Sequence, residues 1–435
     1  MKRNKLIIIS HDALVYDDLA YLKNLPVFKS LLENGARVNT LRSVYPTITY
    51  TVHTSIITGT YPNRHGVLNN ELPEIGVLTS PWQWFASSNK APTLFKAAKK
   101  AGLKTAAVFW PVTGNDPDID YLIDEYWSQS KDDDLIDVFR RSGSNDQVIE
   151  RVVKKNLSLL KGYERKHPQA DEFVIACTCD MIREFQPDVL AIHPAAIDDA
   201  RHRSGLFSEK VNESLDLTER WTGMIIQATK DAGVYEDTNF VILSDHGLLE
   251  IKRSIHPNVI LRENGLITTD SEGNFLDWSA FCKSSALSSL VYLKDPTCKE
   301  TYDRTYNLLC HLRDEGIYGI GEVFTRQEIN EKEHLDGDFS FALESDGYTS
   351  FGNDWRKPLV RNLDLSDYRF GRASHGHLPD KGPQPTLIAF GPAFQKGSTV
   401  ERRPIVDVAP TLAEALGITM EDTDGTPIKE ILRRK

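Results

Sequence analysis

Short apolar runs alternate with longer amphipathic stretches along the chain. The runs are typical of strands buried on both faces of a parallel sheet. They lie at 6–10 (LIIIS), 105–110 (TAAVFW), 188–193 (DVLAIH), 239–244 (NFVILS) and 386–391 (TLIAFG). Between them, apolar residues recur at helical spacing, as in 91–102 and 208–233. This alternation predicts an α/β fold with a mostly parallel sheet flanked by helices on both faces.

The segment 255–370 follows a different pattern. It is rich in Asp, Glu and Gly, and its apolar runs are short. Strands are predicted at 288–295, 320–326 and 339–345, and a helix is predicted at 300–314. We interpret 255–370 as a smaller α+β cap subdomain, inserted into a catalytic core formed by 1–254 and 371–435.

Composition excludes several classes of partner. The chain has 435 residues and a net charge of −11, which opposes binding to nucleic-acid polymers or to anionic membranes. The apolar run at 6–9 is too short for a signal peptide or a spanning helix. Five cysteines provide no disulfide framework. We therefore expect a cytoplasmic protein, and the sequence leaves open whether it forms a homo-oligomer.

Carboxylates and imidazoles gather at four predicted strand ends, the places where α/β sheets carry their functional groups. They are Asp12 after 6–10, Asp198 and His202 after 188–193, Asp245 and His246 after 239–244, and His375 before 386–391. Taken singly, each is typical of a cap or a surface pair. Together they predict a metal centre, with zinc favoured and manganese as the alternative, because the donors mix imidazole and carboxylate.

A cluster of threonines precedes an apolar helical pattern that ends at Gly59. Thr49 falls near the amino end of that helix, where free amides and the helix dipole favour an anion. A threonine hydroxyl is a poor nucleophile unless a base or a metal activates it. Without the predicted metal ligands, Thr47 or Thr49 would be interpreted as a helix cap. With them, Thr49 is the candidate nucleophile.

The order and spacing of these groups resemble the nucleotide pyrophosphatase/phosphodiesterase family of the alkaline phosphatase superfamily. The resemblance is carried by PTITYTVH (46–53), GTYPNRHGVLNN (59–70), the ligand pair Asp198/His202, SDHG (244–247) and SHG (374–376). It implies an alkaline-phosphatase-like fold and two divalent metal ions. It further implies hydrolysis of phosphodiester or pyrophosphate bonds in a nucleotide or another small phosphate ester, through a phosphothreonine intermediate.

The resemblance also implies a role for each matching residue. One metal would be held by Asp198, His202 and His375, and the other by Asp12, Asp245, His246 and the Thr49 oxygen. Thr49 would be the nucleophile, Asn70 would bind a phosphoryl oxygen, and Tyr50 would contact the substrate.

Departures from the family pattern leave the substrate open. Thr51 and Val52 stand where the family usually has Pro-Asn, and Leu206 replaces a proline. A phosphonoacetate-type carbon–phosphorus hydrolase is the first alternative. It would need cations for a carboxylate, for which Lys252, Arg253, Arg262 and Lys381 are available. A phosphomonoesterase is the second alternative. A non-catalytic phosphate-binding protein is disfavoured because every mapped catalytic position is filled.

Other aromatic and imidazole groups are not among the predicted metal ligands. Trp82 and Trp84 either flank the pocket or fill core, with core favoured. His377 is a candidate for supporting a ligand or contacting substrate. His53 is interpreted as a packed helix residue, and His193 is given no role.

Overall fold

A central sheet organises the computed structural model, which describes residues 4–434. The strands are β1 (Lys5–Ser10), β2 (Ala36–Arg42), β3 (Thr105–Val108), β4 (Tyr121–Ile123), β5 (Val189–Ile192), β6 (Thr238–Leu243), β7 (Leu249–Glu250), β8 (Arg253–Ile255), β9 (Ile267–Thr269), β10 (Phe275–Trp278), β11 (Ala280–Ser285), β12 (Ser288–Leu293), β13 (Ile320–Thr325), β14 (Phe341–Ser345), β15 (Thr349–Phe351), β16 (Val360–Arg361), β17 (Ala373–Ser374), β18 (Leu387–Phe390) and β19 (Thr399–Pro404).

Helices connect most of these strands. They are α1 (Leu19–Leu22), α2 (Pro26–Asn34), α3 (Thr49–Thr58), α4 (Pro62–His65), α5 (Leu94–Lys100), α6 (Leu135–Arg141), α7 (Asp146–Val148), α8 (Lys154–Leu160), α9 (Gln169–Phe185), α10 (Ala196–Ser204), α11 (Glu209–Asp231), α12 (Pro257–Glu263), α13 (Lys299–Glu315), α14 (Arg326–Glu333) and α15 (Val408–Leu416). Among residues 4–434, none of these helices combines the length and apolar character that crossing a bilayer requires.

The main sheet has eight strands in the order β19-β2-β18-β6-β1-β5-β3-β4. The predicted α/β fold with a mostly parallel sheet is confirmed, since only β18 runs antiparallel to its two neighbours. All five predicted runs form strands of this sheet. The prediction missed β2, β4 and β19, in which polar residues interrupt the apolar pattern, as in ARVNTLR.

Successive residues of β1 supply the two layers on either side of the sheet. Ile7 and Ile9 pack into the core beneath α2, α9 and α11. Leu6 and Ile8 pack into the opposite core with α3, α5 and α15. Alternate side chains of a strand point to opposite faces, so a strand that is apolar at every position forms only where helices cover both faces.

The reversed strand β18 brings its amino end to the functional edge of the sheet. Leu387, its first residue, lies opposite Leu243, the last residue of the parallel strand β6. On its other side Leu387 pairs with Val38 of β2. The segment that precedes β18 therefore meets the carboxyl ends of β1, β5 and β6. A parallel β18 would have carried that segment to the far edge.

A second sheet lies within the segment predicted as a cap. Its order is β11-β12-β14-β13, all neighbours are antiparallel, and α13 contributes to its apolar core. A short sheet, β15-β8-β16, pairs residues on both sides of the predicted boundary at 254/255. The exact division of the chain into domains stays a prediction.

Truncation of a core residue tests the two-layer packing. We expect Ile8→Ala to lower the free energy of unfolding by about 2–5 kcal/mol, because Ile8 is fully buried and its removal leaves a cavity. Urea denaturation followed by circular dichroism measures the change. The control is Leu276→Ala at a position that is 62% exposed, where the change should stay within about 0.5 kcal/mol. Equal effects of the two substitutions would contradict the packing described.

Candidate active site

Six side chains form two neighbouring triads at the carboxyl edge of the sheet. The triads are Asp198, His202 and His375, and Asp12, Asp245 and His246. In each triad the potential ligand atoms lie within 4.8 Å of one another. The rings of His246 and His375 stack between the triads, with centroids 3.9 Å apart. The structure thus brings together all six acidic and imidazole residues that the sequence singled out.

Each candidate ligand lies just after a strand or within a short helix at this edge of the sheet. Asp12 lies two residues beyond β1, and Asp245 and His246 follow the end of β6. Asp198 and His202 sit one turn apart on α10, so both side chains share one face. His375 directly follows β17 and precedes β18, whose reversal carries it to this edge.

Backbone carbonyls fix the orientation of two of the histidines. His202 Nδ1 donates to the carbonyl of Ala373 at 2.7 Å, and His375 Nδ1 donates to the carbonyl of Thr47 at 2.9 Å. Each ring therefore carries a proton on Nδ1, and Nε2 is the atom that remains to bind a metal. Such contacts from an outer residue are typical of metal-bound histidines, since they set both tautomer and ring direction.

Thr49 is the first residue of α3, and the residue before it, Ile48, makes no side-chain cap. The Thr49 hydroxyl therefore does not cap the helix. Its Oγ1 instead lies 3.2 Å from Nε2 of His246. The neighbouring Thr47 has a different task, because its carbonyl accepts from His375 and its hydroxyl donates to the carbonyl of His377.

Asn70 lies beside the start of α3. Its Oδ1 accepts the backbone N–H of Tyr50 at 2.9 Å, which is one of the amides that α3 itself leaves unpaired. This contact assigns the other terminal atom, Nδ2, as the donor group. The backbone amide of Tyr50 is thereby occupied, so the donor that Asn70 offers to a ligand is its side-chain NH₂.

Three carboxylates crowd this region, and those of Asp12 and Asp245 are buried while that of Asp198 is half-buried. Burial raises the pKa of Asp12 well above its usual value, and the nearby carboxylates of Asp245 and Asp198 raise it further. Burial also raises the pKa of Asp245. At Asp198 burial acts in the same direction, but His202 and the other imidazoles outweigh it and hold its pKa below the usual range. Divalent cations would relieve this repulsion.

Unpaired polar atoms support the fit of metal ions. Oδ1 of Asp12, Oδ1 of Asp198, Nε2 of His202 and Oδ2 of Asp245 are buried and make no hydrogen bond within residues 4–434. Buried polar atoms without partners are rare in folded proteins, because desolvation without a hydrogen bond is costly. These four atoms all belong to the two triads, and their chemistry suits zinc or manganese.

Two further histidines contact the site, and neither contact was predicted from the sequence. His193 Nε2 lies 3.1 Å from Oδ2 of Asp12. His53 bridges the carbonyl of Thr49 and the hydroxyl of Ser10. Burial lowers the pKa of both imidazoles to about 3, so both are neutral. The position of His193 at the end of a buried strand was the one available signal.

A cavity of about 570 Å³ opens in front of Thr49 and both triads. Aromatic side chains form much of its wall, including Tyr50, Trp82, Trp84 and Trp127. Trp82 and Trp84 thus line the cavity, whereas the sequence favoured a core position for them. Their rings meet Trp127 edge to face with centroids 5.1 Å apart. His377 is buried and does not line the cavity.

The cations around the cavity differ from those named from the sequence. Lys252, Arg253, Arg262 and Lys381 do not line it, and Lys381 is bound to Glu344 at 2.7 Å. Arg165, Arg203 and Arg369 do line it. Arg369 forms a bidentate pair with Asp367, and Arg203 pairs with Asp199. Most of this positive charge is therefore already matched by carboxylates of the chain.

Metal analysis tests the first triad. We expect His375→Ala to lower the metal content by about one equivalent per chain, because a three-residue site loses a third of its protein ligands. Elemental analysis of protein dialysed against trace zinc provides the measurement. The matched control is His311→Ala on the exposed face of α13, which should keep the full content. Full metal content in both variants would remove His375 from the ligand set.

Solved structures share this fold. Murine ectonucleotide pyrophosphatase/phosphodiesterase 5, an inactive form in complex with AMP, superposes with a TM-score of 0.69 at 18% identity. The match covers 99% of this chain and 100% of that one. The human form of the same protein superposes with a TM-score of 0.68 and the same coverage.

Curated relatives are similar in sequence over part of their length. Rat ectonucleotide pyrophosphatase/phosphodiesterase family member 1 is 22% identical over 403 residues, which is 91% of this chain and 38% of that protein. Venom phosphodiesterase 2 of Crotalus adamanteus is 24% identical over 261 residues, which is 58% of this chain and 27% of that protein. The chain therefore spans well under half the length of these relatives.

The family model described as type I phosphodiesterase / nucleotide pyrophosphatase matches residues 6–372. That match covers most of the chain and contains Thr49, Asn70 and five of the six residues of the two triads. The chain belongs to the type I phosphodiesterase / nucleotide pyrophosphatase family.

Proposed function

We propose that this protein hydrolyses phosphodiester or pyrophosphate bonds of nucleotide-like substrates, with Thr49 as the nucleophile. The observation that carries the proposal is the position of Thr49 Oγ1. It stands at the amino end of α3, 3.2 Å from His246, beside two triads of metal-type ligands. Membership of the type I phosphodiesterase / nucleotide pyrophosphatase family supports the same reaction class.

Two divalent cations complete this proposal. Asp198, His202 and His375 would hold one, and Asp12, Asp245, His246 and the Thr49 oxygen would hold the other. When bound, the cations would lower the pKa of the Thr49 hydroxyl and offset negative charge on the phosphoryl group. Zinc is the first choice and manganese the second, as the mixed donors favour.

The proposed reaction then consists of two successive displacements at phosphorus. Thr49 Oγ attacks phosphorus, the bond from phosphorus to the leaving oxygen breaks, and a phosphothreonine forms. Water then attacks that phosphorus and the bond to Thr49 Oγ breaks, which regenerates the hydroxyl. Asn70, held through its Oδ1, donates from Nδ2 to a non-bridging oxygen in both steps.

The aromatic wall favours a nucleotide over a small phosphonate. Tyr50, next to the nucleophile, is fully buried in the cavity wall, and the half-buried Trp82 packs on it edge to face and can contact a base or aryl group. The neighbouring solved structure is named as a complex with AMP, which supports a nucleotide ligand. The four cations that the sequence offered for a phosphonoacetate-type hydrolase lie outside the cavity, and two of the three arginines that line it are paired with carboxylates, which argues against that alternative.

A cytoplasmic site of action stays a prediction. The five cysteines form no disulfide, and three of them are buried. Free cysteines of this kind are common in reducing compartments.

Removal of the nucleophile gives the sharpest test. We expect Thr49→Ala to lower kcat on bis(p-nitrophenyl) phosphate by about a thousandfold or more, since covalent attack is lost. A p-nitrophenyl monoester and phosphonoacetate should be turned over far more slowly by the native protein. The control is Thr51→Ala. Thr51 does not line the cavity, and its buried hydroxyl has no hydrogen-bond partner within residues 4–434. Unchanged activity in Thr49→Ala would refute the nucleophile assignment.

Asn70 provides a second test of the mechanism. Replacement by alanine should lower kcat by about 100- to 1000-fold, because a preorganised donor to the transition state is removed. Metal content should remain unchanged, since Asn70 belongs to neither triad. Steady-state kinetics together with elemental analysis separates the two effects. A variant that loses metal in proportion to activity would show a structural role instead.

A further inference from the structure

The cavity extends beyond the reacting centre to polar groups that the proposed mechanism does not use. The hydroxyl of Tyr50 donates to Oε2 of Glu125 at 3.0 Å. The side chain of Tyr50 therefore links the amino end of α3 to Glu125. The carboxyl of Glu125 makes no other hydrogen bond within residues 4–434, and Glu125 lines the cavity. Its Oε1 is thus available to accept from a ligand.

Trp84 brings an unsatisfied donor to the same cavity. Its side chain is 6% exposed, and its Nε1–H has no partner within residues 4–434. Tyr126 and Trp127 pack against it edge to face, with centroids 5.0 and 5.1 Å away. The indole N–H groups of Trp110 and Trp221 are unpaired in the same range as well, but of these three only Trp84 lines the cavity, so its N–H can donate to a ligand there.

His167 is a second donor on the cavity wall. Burial lowers its pKa, but the carboxylate of Asp171, 2.8 Å from Nδ1, more than compensates and raises the pKa to about 9. The ring is therefore protonated at neutral pH. Nδ1–H is committed to Asp171, which leaves Nε2–H for a ligand in the cavity that His167 lines.

Groups of both charge signs line this region, because His167 and Arg165 share the cavity wall with acidic residues. Burial raises the pKa of Glu125 to about 7. An anion would meet Glu125, and Glu164 and Asp199 also line the cavity. A quaternary ammonium group would need the faces of Trp82 and Trp127, yet the guanidinium of Arg165 already lies 5.8 and 4.5 Å from those ring centroids. The lining therefore favours a neutral planar group that carries both donors and acceptors.

We propose that Trp84, Glu125 and His167 form a subsite for the edge of a nucleobase in which an N–H stands next to a carbonyl, as in guanine. This inference rests on the proposed phosphodiesterase function. Glu125 would accept from the ring N–H and the adjacent amino group, while His167 and Trp84 would donate to the carbonyl. Adenine would direct its amino group against those two donors and leave them unpaired, which is costly in a buried site.

Substrate preference provides the test. The p-nitrophenyl esters of guanosine and adenosine 5′-monophosphate are compared by kcat/KM. The native protein should prefer the guanosine ester by about tenfold, as expected for one bidentate contact. Glu125→Gln should reduce that preference to about twofold or less, because the amide has one acceptor oxygen where the carboxylate has two and so cannot accept from both donors of the base. A native protein without preference, or an unchanged preference in Glu125→Gln, would overturn the subsite.

Two variants control for charge and folding. Glu172→Gln makes the same chemical change on the outer face of α9, where the carboxylate pairs with Arg220, and it should keep the native preference. Glu125→Asp keeps the charge but withdraws it by one methylene, and it should also lose preference. Agreement between the two Glu125 variants, with unchanged thermal unfolding, assigns the effect to recognition rather than to misfolding.

Binding without turnover separates this inference from the proposed function. Zinc-loaded Thr49→Ala protein is titrated with GMP and with AMP in a calorimeter. GMP should bind about tenfold more tightly than AMP. If no diester is hydrolysed by the native protein but GMP is still preferred, the proposed reaction fails and the subsite stands. Equal affinities for GMP and AMP would reject the subsite whatever the hydrolysis data show.

Discussion

The reversal of one strand, β18, determines how the site is assembled. In a parallel sheet, segments that follow strands meet at one edge, and segments that precede strands meet at the other. Thr49, Asp12, Asp198 and Asp245 all follow strands, whereas His375 precedes one. Because Leu387 at the start of β18 lies opposite Leu243 at the end of β6, His375 nevertheless reaches the same edge. Without that pairing the first triad would lack its third member.

Charge at this edge imposes the second constraint. Three carboxylates lie close together, and the main compensating groups within reach are imidazoles. The Nδ1 atoms of His202 and His375 are committed to backbone carbonyls, so both rings turn Nε2 toward the carboxylate of Asp198. Such an arrangement is poorly stable by itself and well suited to dications. Bound dications would also provide partners for the unpaired buried atoms of the two triads.

The cavity divides into two chemical environments. Near Thr49 it is dominated by the triads, and farther away it is aromatic with a small number of polar groups. Tyr50 connects them, since its backbone N–H binds Asn70 and its hydroxyl binds Glu125. A single residue therefore couples the position of Asn70, the proposed phosphoryl-binding amide, to the aromatic wall of the cavity. Changes at Tyr50 are expected to affect both ends.

The sequence by itself determined the fold class and the family. Runs such as 240–243 are apolar at every position, a pattern typical of a strand covered on both faces, and the family motifs predicted Thr49 and the metal ligands proposed above. It did not reveal β2 or β19, because their polar residues break the pattern, nor the contact of His193 with Asp12. Only the tertiary structure decided which groups share the cavity. Residues as distant along the chain as Tyr50, Glu125 and His167 meet through the packing of loops, and such contacts leave no periodic signal in the sequence.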